Sequence, residues 1–388
     1  MSRKVLIITN LFADPWSATR ATFNQEQFGR LSKLMDVTIM VPVSWTTFVR
    51  SPLQYWRLKK QAQQRWPHVD YVIFWYVPSV LRGTHAFTLF LSLVLQRFPT
   101  LFLKRWYCLL GSWGFPDAVA TAAIGMLSRT PVVAKVHGSD VNVFTQHKAH
   151  RMQIVWALNR AKSVVAVSKA LAARLAEIGV DPARTTVLYN GVDQQKFQPM
   201  DAPAARASLG VAEGEEAILY IGNILVTKGC NELLEAFAAL ATRRPHATLI
   251  VIGDGPLKKP MMARATELGL TERVRFPGRV PHAELAPWFA AASVFCLPSY
   301  AEGVPNVVLE AMACGTPVVA TDVGGIAEIL PDFAGVLVPA KNAGALAKGL
   351  EQALGTQWDK ARTLAHAQAF DWTDNVRRLQ ALLDKAAD

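Results

Sequence analysis

The sequence predicts an α/β protein of two domains, each a parallel sheet wrapped by helices, facing one another across a cleft. Three observations lead there. The chain has 388 residues, 51% hydrophobic and 18% charged, and at roughly 100–200 residues per domain that length supports two cores. Short β-branched runs alternate with helix-like stretches through both halves, the pattern of strands joined by crossover helices. Runs such as Thr-Leu-Ile-Val-Ile at 248–252 are apolar without alternation, as strands covered on both faces are. The same composition excludes a disordered chain, a collagen-like repeat and a small disulfide-stapled scaffold.

Taken in order, residues 4–9 form the first expected strand, because Lys-Val-Leu-Ile-Ile-Thr sets four bulky apolar residues in a row. Further strands are expected over 37–41, 71–76, 131–136, 163–167 and 186–188, with helices over 23–35, 117–128 and 169–178. The second half repeats the plan, with strands over 217–221, 248–252, 274–276, 294–297, 317–320 and 335–338. Its helices are expected over 231–242, 261–267, 283–292, 306–313 and 343–354. Residues 192–203, with their Gln, Pro and Asp, read as the linker, which divides the chain into domains 1–193 and 194–371. Both halves read as Rossmann-like. Such sheets bind ligands at the carboxyl ends of their strands, so two facing edges suit an enzyme with two substrates.

Cys108, Cys230, Cys296 and Cys314 lie far apart, with neither metal-ligand nor redox spacing, and read as buried apolar residues in a reducing compartment. The N-terminus lacks the long apolar region and cleavage site of a signal peptide. The longest apolar run, 86–95, falls short of the roughly 20 residues that span a bilayer. A cytoplasmic protein is expected, one still able to touch a membrane. Net charge is +11 and sits entirely in the first half: residues 1–196 hold 24 Lys and Arg against 9 Asp and Glu, residues 197–388 hold 17 against 21. A one-sided basic domain faces nucleic acid or an acidic lipid surface. No zinc spacing, basic heptad helix or RNA-binding sheet motif is present, so no nucleic-acid partner is predicted.

The richest segment is 299–320, Ser-Tyr-Ala-Glu-Gly-Val-Pro-Asn-Val-Val-Leu-Glu-Ala-Met-Ala-Cys-Gly-Thr-Pro-Val-Val-Ala. A helix should begin just after Pro305 with Asn306 as N-cap, Glu310 in its first turn and Glu302 in the loop before it. Backbone from Gly303 through Val304, Pro305 and Asn306 to Val307 would then present N–H groups at the positive end of the helix, a cradle for a diphosphate. Three other stretches stand at expected strand ends: Gly222-Asn-Ile-Leu-Val-Thr-Lys-Gly229, Val251-Ile-Gly-Asp-Gly-Pro256 and Val136-His-Gly-Ser-Asp140. Gly-Asp-Gly lacks the third glycine of a dinucleotide fingerprint, which argues against NAD. His137 stands where a ligand cleft should be; Asp140 reads as a cap for the next helix or a further site residue.

The pattern Glu302, seven residues, Glu310 resembles the signature of family-4 glycosyltransferases, and the resemblance spans essentially the whole chain. It implies the GT-B fold and retaining transfer of a sugar from a UDP- or GDP-sugar to an acceptor hydroxyl. It further implies that Glu310 bonds the ribose, that Glu302 meets the donor sugar near its 3- and 4-hydroxyls, and that the 303–307 amides hold sugar and diphosphate. The Gly222–Gly229 loop resembles the family's Gly-Arg, four residues, Lys-Gly: Lys228 is in place, but Asn223 stands where arginine is usual. Either another basic residue such as Arg20 compensates or one cation suffices. Gly253, Asp254, Arg279 and Val280 would line the nucleotide pocket, and His137 would lie close to the reacting sugar. The glycine-free loop 10–22 makes Arg20 and Thr22 secondary candidates, an arrangement similar to members acting in exopolysaccharide assembly. Residues 372–388 would form a helix packed back on the first domain, with Val376, Leu379, Leu382 and Leu383 as its buried stripe.

The resulting catalytic set is His137, Glu302 and Lys228, working by front-face substitution with the leaving diphosphate stabilised electrostatically. No Asp-X-Asp pair occurs, so neither a metal nor a cofactor is predicted, the nucleotide-sugar being a substrate. The alternatives are a nucleotide-sugar epimerase on the same fold and a non-enzymatic basic binding protein. Residues 44–66 and 97–107 mix aromatic and basic side chains, among them Trp45, Trp56, Arg57, Lys59, Lys60, Lys104, Arg105 and Trp106. They are expected to dock an acceptor-side first domain on the anionic inner face of the plasma membrane, where the acceptor would be a lipid-linked glycan of exopolysaccharide or cell-surface polysaccharide synthesis.

Overall fold

The computed structural model describes residues 3–18, 20–78 and 81–388. The chain divides into one unit of residues 1–190 with 372–388 and a second of 191–371. The division falls three residues before the expected linker boundary because Val192 already belongs with the end of the second unit: its N–H donates to the Phe370 carbonyl at 2.8 Å, and it bridges to Asp371.

The first unit is a seven-stranded parallel sheet of β1 (Lys4–Ile8), β2 (Asp36–Ser44), β3 (Val69–Phe74), β4 (Cys108–Ser112), β5 (Val132–Val136), β6 (Ser163–Ala166) and β7 (Thr185–Val187). Their order is β3-β2-β1-β4-β5-β6-β7. Alternate residues serve opposite faces: Leu6 and Ile8 join a core with helices His85–Phe98, Val119–Ser128 and Lys148–Leu158, while Val5 and Ile7 join one with helices Thr22–Leu31 and Trp372–Ala387. That last helix buries Val376, Leu379 and Leu383 in the first unit's core, with Leu382 partly buried beside them.

β4 is a strand that the sequence pattern does not announce. Cys-Leu-Leu-Gly-Ser has no β-branched residue, yet all five positions are buried at the centre of the sheet. A second difference concerns 86–95. The helical stretch Arg82–Leu103 is long and apolar enough, by length and composition alone, to cross a membrane, with 28% of its most apolar window buried in the unit. Within it Ser92 accepts the Trp75 N–H, Gln96 donates to the Ile73 carbonyl and Arg97 donates to Asp70.

The second unit carries β8 (Glu216–Ile221), β9 (Ala247–Ile252), β10 (Val274–Gly278), β11 (Val294–Leu297), β12 (Val318–Thr321) and β13 (Gly335–Val338), in the parallel order β10-β9-β8-β11-β12-β13. In both sheets chain order reverses once, between β1 and β4 and between β8 and β11. The crevice beyond the strand ends at such a switch point is where open α/β sheets take their ligands.

Candidate functional site

At the β8/β11 switch point the sequence motifs converge. The 222–229 loop leaves β8 and the segment containing Glu302 leaves β11, and the two are tied by Tyr300 N–H to the Thr227 carbonyl at 2.9 Å. Lys228 Nζ donates to Glu302 Oε1 at 2.5 Å, with both side chains mostly shielded from solvent. The Gly253-Asp254-Gly255 turn packs on the same loop. Gly253 sits at φ +142°, and a Cβ there would stand 1.8 Å from the Gly222 carbonyl oxygen, so only glycine permits the approach. Gly324, at φ +59°, plays the same part against the Glu302 carbonyl, where a Cβ would lie at 1.9 Å. Arg279 is an exposed side chain whose guanidinium lies 3.5 Å from the exposed Asp254, and Val280 beside it is half-buried. Asn223 is exposed, and its carbonyl accepts the Tyr220 hydroxyl at 2.7 Å.

The helix at this site is Asn306–Ala313, and two expectations about it are corrected. Asn306 is not its N-cap: Pro305, at φ −75° and ψ 117°, takes that position, and the Asn306 side chain instead donates to the Gly191 carbonyl at 3.4 Å. Glu310 consequently falls in the second turn, where it is buried at 6% exposure. Its carboxylate is bonded by His282 Nε2 at 2.8 Å, and the His282 ring rests on Phe197 at 5.1 Å between centroids. Sequence reasoning missed His282, because a lone histidine two residues past the Phe276–Val280 stretch carries no spacing signal. The Gly303–Val307 backbone leads into the helix, whose first N–H groups have no intrahelical acceptor by construction.

At the β1/β4 switch point of the first unit, His137 follows β5, and its Nε2 lies 3.0 Å from Ser112 Oγ at the end of β4. The ring packs against Phe23 and Trp113 at 5.2 and 6.1 Å. Burial, reinforced by the charge of Lys135, pushes the His137 pKa well below the imidazole range, so the ring is neutral at pH 7. Asp140 does not cap the following helix, whose N-cap is Gly138. It accepts N–H bonds from Gly114, His137, Gly138 and Val141 at 2.7–3.1 Å, knitting the strand-end loop together. Thr22 opens the Thr22–Leu31 helix, and Arg20 holds Asp14 at 3.1 Å. Another residue that sequence reasoning missed is Asp117, fully buried after β4. Its Oδ2 accepts the Asn10 N–H at 2.6 Å, while Oδ1 has no partner among the described residues.

Of the residues expected at a membrane, Trp56, Arg57, Lys60, Lys104 and Arg105 are exposed. Trp106 is not: it is 9% exposed in the core, with its indole N–H bonded to the Thr100 carbonyl at 2.8 Å. Trp45 is also engaged, donating to the Tyr76 carbonyl at 2.7 Å and stacking on Trp75. Lys59 reaches back to the Tyr71 carbonyl at 3.3 Å. An amphipathic tip makes such residues look interfacial in sequence when a nearby carbonyl already satisfies them.

Comparison with known proteins adds to this geometry. Residues 201–369 match the family described as Glycosyl transferases group 1, and residues 58–196 match Glycosyltransferase Family 4. Over 364 residues the chain is 29% identical to TuaC of Bacillus subtilis, assigned to teichuronic acid biosynthesis as a glycosyltransferase, covering 89% of this chain and 88% of that one. It is 37% identical over 212 residues to the D-inositol 3-phosphate glycosyltransferase of Frankia alni, about half of each chain. In fold it resembles Anabaena HepE, solved in complex with UDP, with a TM-score of 0.77 at 20% identity over 99% of this chain and 100% of that one. It also resembles the sucrose-phosphate synthase of Thermosynechococcus elongatus, with a TM-score of 0.75 at 22% identity over 99% of each. The two parallel-sheet units are those of the GT-B fold, and with the two family matches lying one on each unit, the chain belongs to the family-4 glycosyltransferases.

Proposed function

We infer that this glycosyltransferase moves a sugar from a UDP- or GDP-sugar to an acceptor hydroxyl with retention of anomeric configuration, the acceptor being a lipid-linked glycan of cell-surface polysaccharide synthesis. The observation that carries the reading is the Lys228–Glu302 pair at the β8/β11 switch point, one loop ahead of the Asn306–Ala313 helix with its buried Glu310. HepE, which shares the fold, was solved in complex with UDP, and TuaC is assigned to teichuronic acid biosynthesis; both support it.

The residues divide the work. Glu310, oriented by His282, accepts from the ribose hydroxyls. Glu302 accepts from the donor sugar, and Lys228, released from Glu302 by those hydroxyls, turns its ammonium to the diphosphate together with the first N–H groups of the helix. Departing negative charge is then met by groups already in place, which favours the transition state over the ground state. Neutral His137 offers a hydrogen bond rather than a charge beside the reacting sugar. No step calls on a metal or cofactor, and turnover is expected to persist in EDTA.

The test is a panel of UDP-, GDP- and ADP-sugars read by thermal stabilisation, since a ligand bound only by the native state raises its stability. The product's anomeric coupling is then read by NMR. Stabilisation by one UDP- or GDP-sugar and a retained anomer are expected. No response to any nucleotide-sugar, or an inverted product, overturns the reading, and conversion of donor alone to another nucleotide-sugar replaces it with an epimerase.

A further inference from the structure

Lys228 supplies the cation of the proposed reaction, and it stands on a short 3₁₀ turn, Val226–Lys228, whose Val226 side chain is exposed. Such turns are closed by poorly aligned hydrogen bonds and hold their shape weakly by themselves. Here Tyr300 grips both flanks of the turn. Its N–H donates to the Thr227 carbonyl at 2.9 Å, and its hydroxyl donates at 2.6 Å to Glu232 Oε1 in the first turn of the following helix, Cys230–Ala241. Between those two ties Gly229, at φ +67°, seats the start of the helix on the end of β11, where a Cβ would stand 2.0 Å from the Pro298 carbonyl oxygen. The Tyr300 ring is held in turn by Lys341, whose ammonium lies 5.0 Å from the ring centroid. Burial and the bond to Glu232 push the Tyr300 pKa up to about 12, so the hydroxyl remains a donor at neutral pH.

Glu302 follows Tyr300 by two residues, so the residue that clamps the lysine turn also fixes the segment bearing the lysine's partner. We propose that the Tyr300–Glu232 hydrogen bond is a latch that positions Lys228, holding its backbone against the Glu302 segment so that only the side chain moves when the ammonium turns to the leaving diphosphate. Tyr300 and Glu232 are then positioning residues, acting through Lys228. The proposal rests on the donor-site reading above and adds to it the pair that keeps its cation in register. Charge on the diphosphate grows as the glycosidic bond breaks, so a misplaced ammonium costs more in the transition state than in the bound donor. Donor affinity, anchored separately at Glu310, changes little.

The test measures steady-state rates and donor titration calorimetry on the full chain, with the nucleotide-sugar that stabilises it most. Tyr300→Phe keeps the ring beside Lys341 and loses only the hydroxyl. Its kcat is expected to fall about tenfold, since a misplacement of about 1 Å can cost up to about 100-fold, while the donor Kd stays within about twofold. Glu232→Gln keeps an acceptor oxygen for the hydroxyl and should retain kcat, whereas Glu232→Ala should match Tyr300→Phe. In a Lys228→Ala background Tyr300→Phe should cost less than about twofold, because no ammonium is left to place. A merely structural role would lower the rate equally in both backgrounds. Undiminished kcat in Tyr300→Phe, equal losses with and without Lys228, or Glu232→Gln as poor as Glu232→Ala overturns the latch and leaves the donor site standing. Full turnover in Lys228→Ala, or no nucleotide-sugar bound by the unsubstituted chain, overturns the latch together with the reading beneath it. An inverted product with the Tyr300–Lys228 coupling intact keeps the latch and removes retention instead.

Discussion

Glu302 and Glu310 carry the same side chain and meet different partners, and that difference sets what each contributes. Glu302 is paired with a cation that the proposed reaction needs elsewhere, whereas Glu310 is fixed by His282 in a buried position. Glu310→Ala is therefore expected to raise the donor's dissociation constant by one to two decades, the loss of a charge-assisted hydrogen bond of about 1.5–3 kcal/mol. Glu302→Ala leaves Lys228 free to hold the diphosphate, so kcat should fall more than donor affinity. Titration calorimetry with donor, beside steady-state rates, checks both; normal turnover in both variants removes them from the site. Their spacing was legible because Pro305 marks a helix start and the two acids bracket it. The register of the cap was not, since proline itself adopted the extended conformation that a capping side chain was expected to hold. His282 and Asp117 were illegible for another reason: each gains meaning only from a neighbour distant in sequence.

At the scale of elements, the Trp372–Ala387 helix is joined to the sheet by a buried polar chain. Lys135 of β5 donates to Gln27 Oε1 at 2.6 Å, Gln27 donates to Asn375 Oδ1 at 2.5 Å, and Asn375 donates to the Tyr189 carbonyl at 2.6 Å. Its apolar stripe announced this helix, but nothing in the sequence announced a lysine with 0% exposure in a strand that reads as core. Burial pushes the Lys135 pKa down to about 7 from an ordinary 10.5. Between those values the unfolded chain binds the proton that the folded one has released, so this group makes stability rise with pH, by up to about 1.4 kcal/mol per unit. Below pH 7 both states are protonated and its destabilising effect is complete. Denaturant unfolding between pH 7 and 8.5 is expected to show a more positive slope in the unsubstituted chain than in Lys135→Met, the four buried thiols affecting both chains alike. Parallel curves would refute the assignment.

On the scale of the whole molecule, charge follows the structural division. The first unit holds 26 Lys and Arg against 11 Asp and Glu, the second 15 against 19. The basic unit is also the one with a bare apolar face. Ala86, Leu89 and Leu93 turn the His85–Phe98 helix inward, which leaves Phe87, Leu91, Leu95 and Phe98 exposed along its other side, Leu95 at 82%. Helix Pro52–Arg65 adds Leu53 at 89% and Trp56 at 56%. Both helices are pinned to neighbouring residues of the edge strand β3, Arg97 to Asp70 and Lys59 to Tyr71, so they flank one edge of the sheet. Exposed Arg57, Lys60, Lys104 and Arg105 accompany them. Exposed apolar side chains together with exposed cations match an anionic bilayer surface, each basic residue adding about 1 kcal/mol near the leaflet. We therefore expect flotation with vesicles containing phosphatidylglycerol, weakened by high salt and by replacing those four basic residues with Gln. Leu95→Glu should weaken it at any salt, because it sets an acid in the apolar stripe. The sequence expected docking through Trp45, Lys59 and Trp106, which the fold turns inward, so substituting those three for docking would test stability instead. Equal absence of binding to anionic and neutral vesicles would remove the membrane, and with it the lipid-linked acceptor, from the proposed function while leaving the donor site untouched.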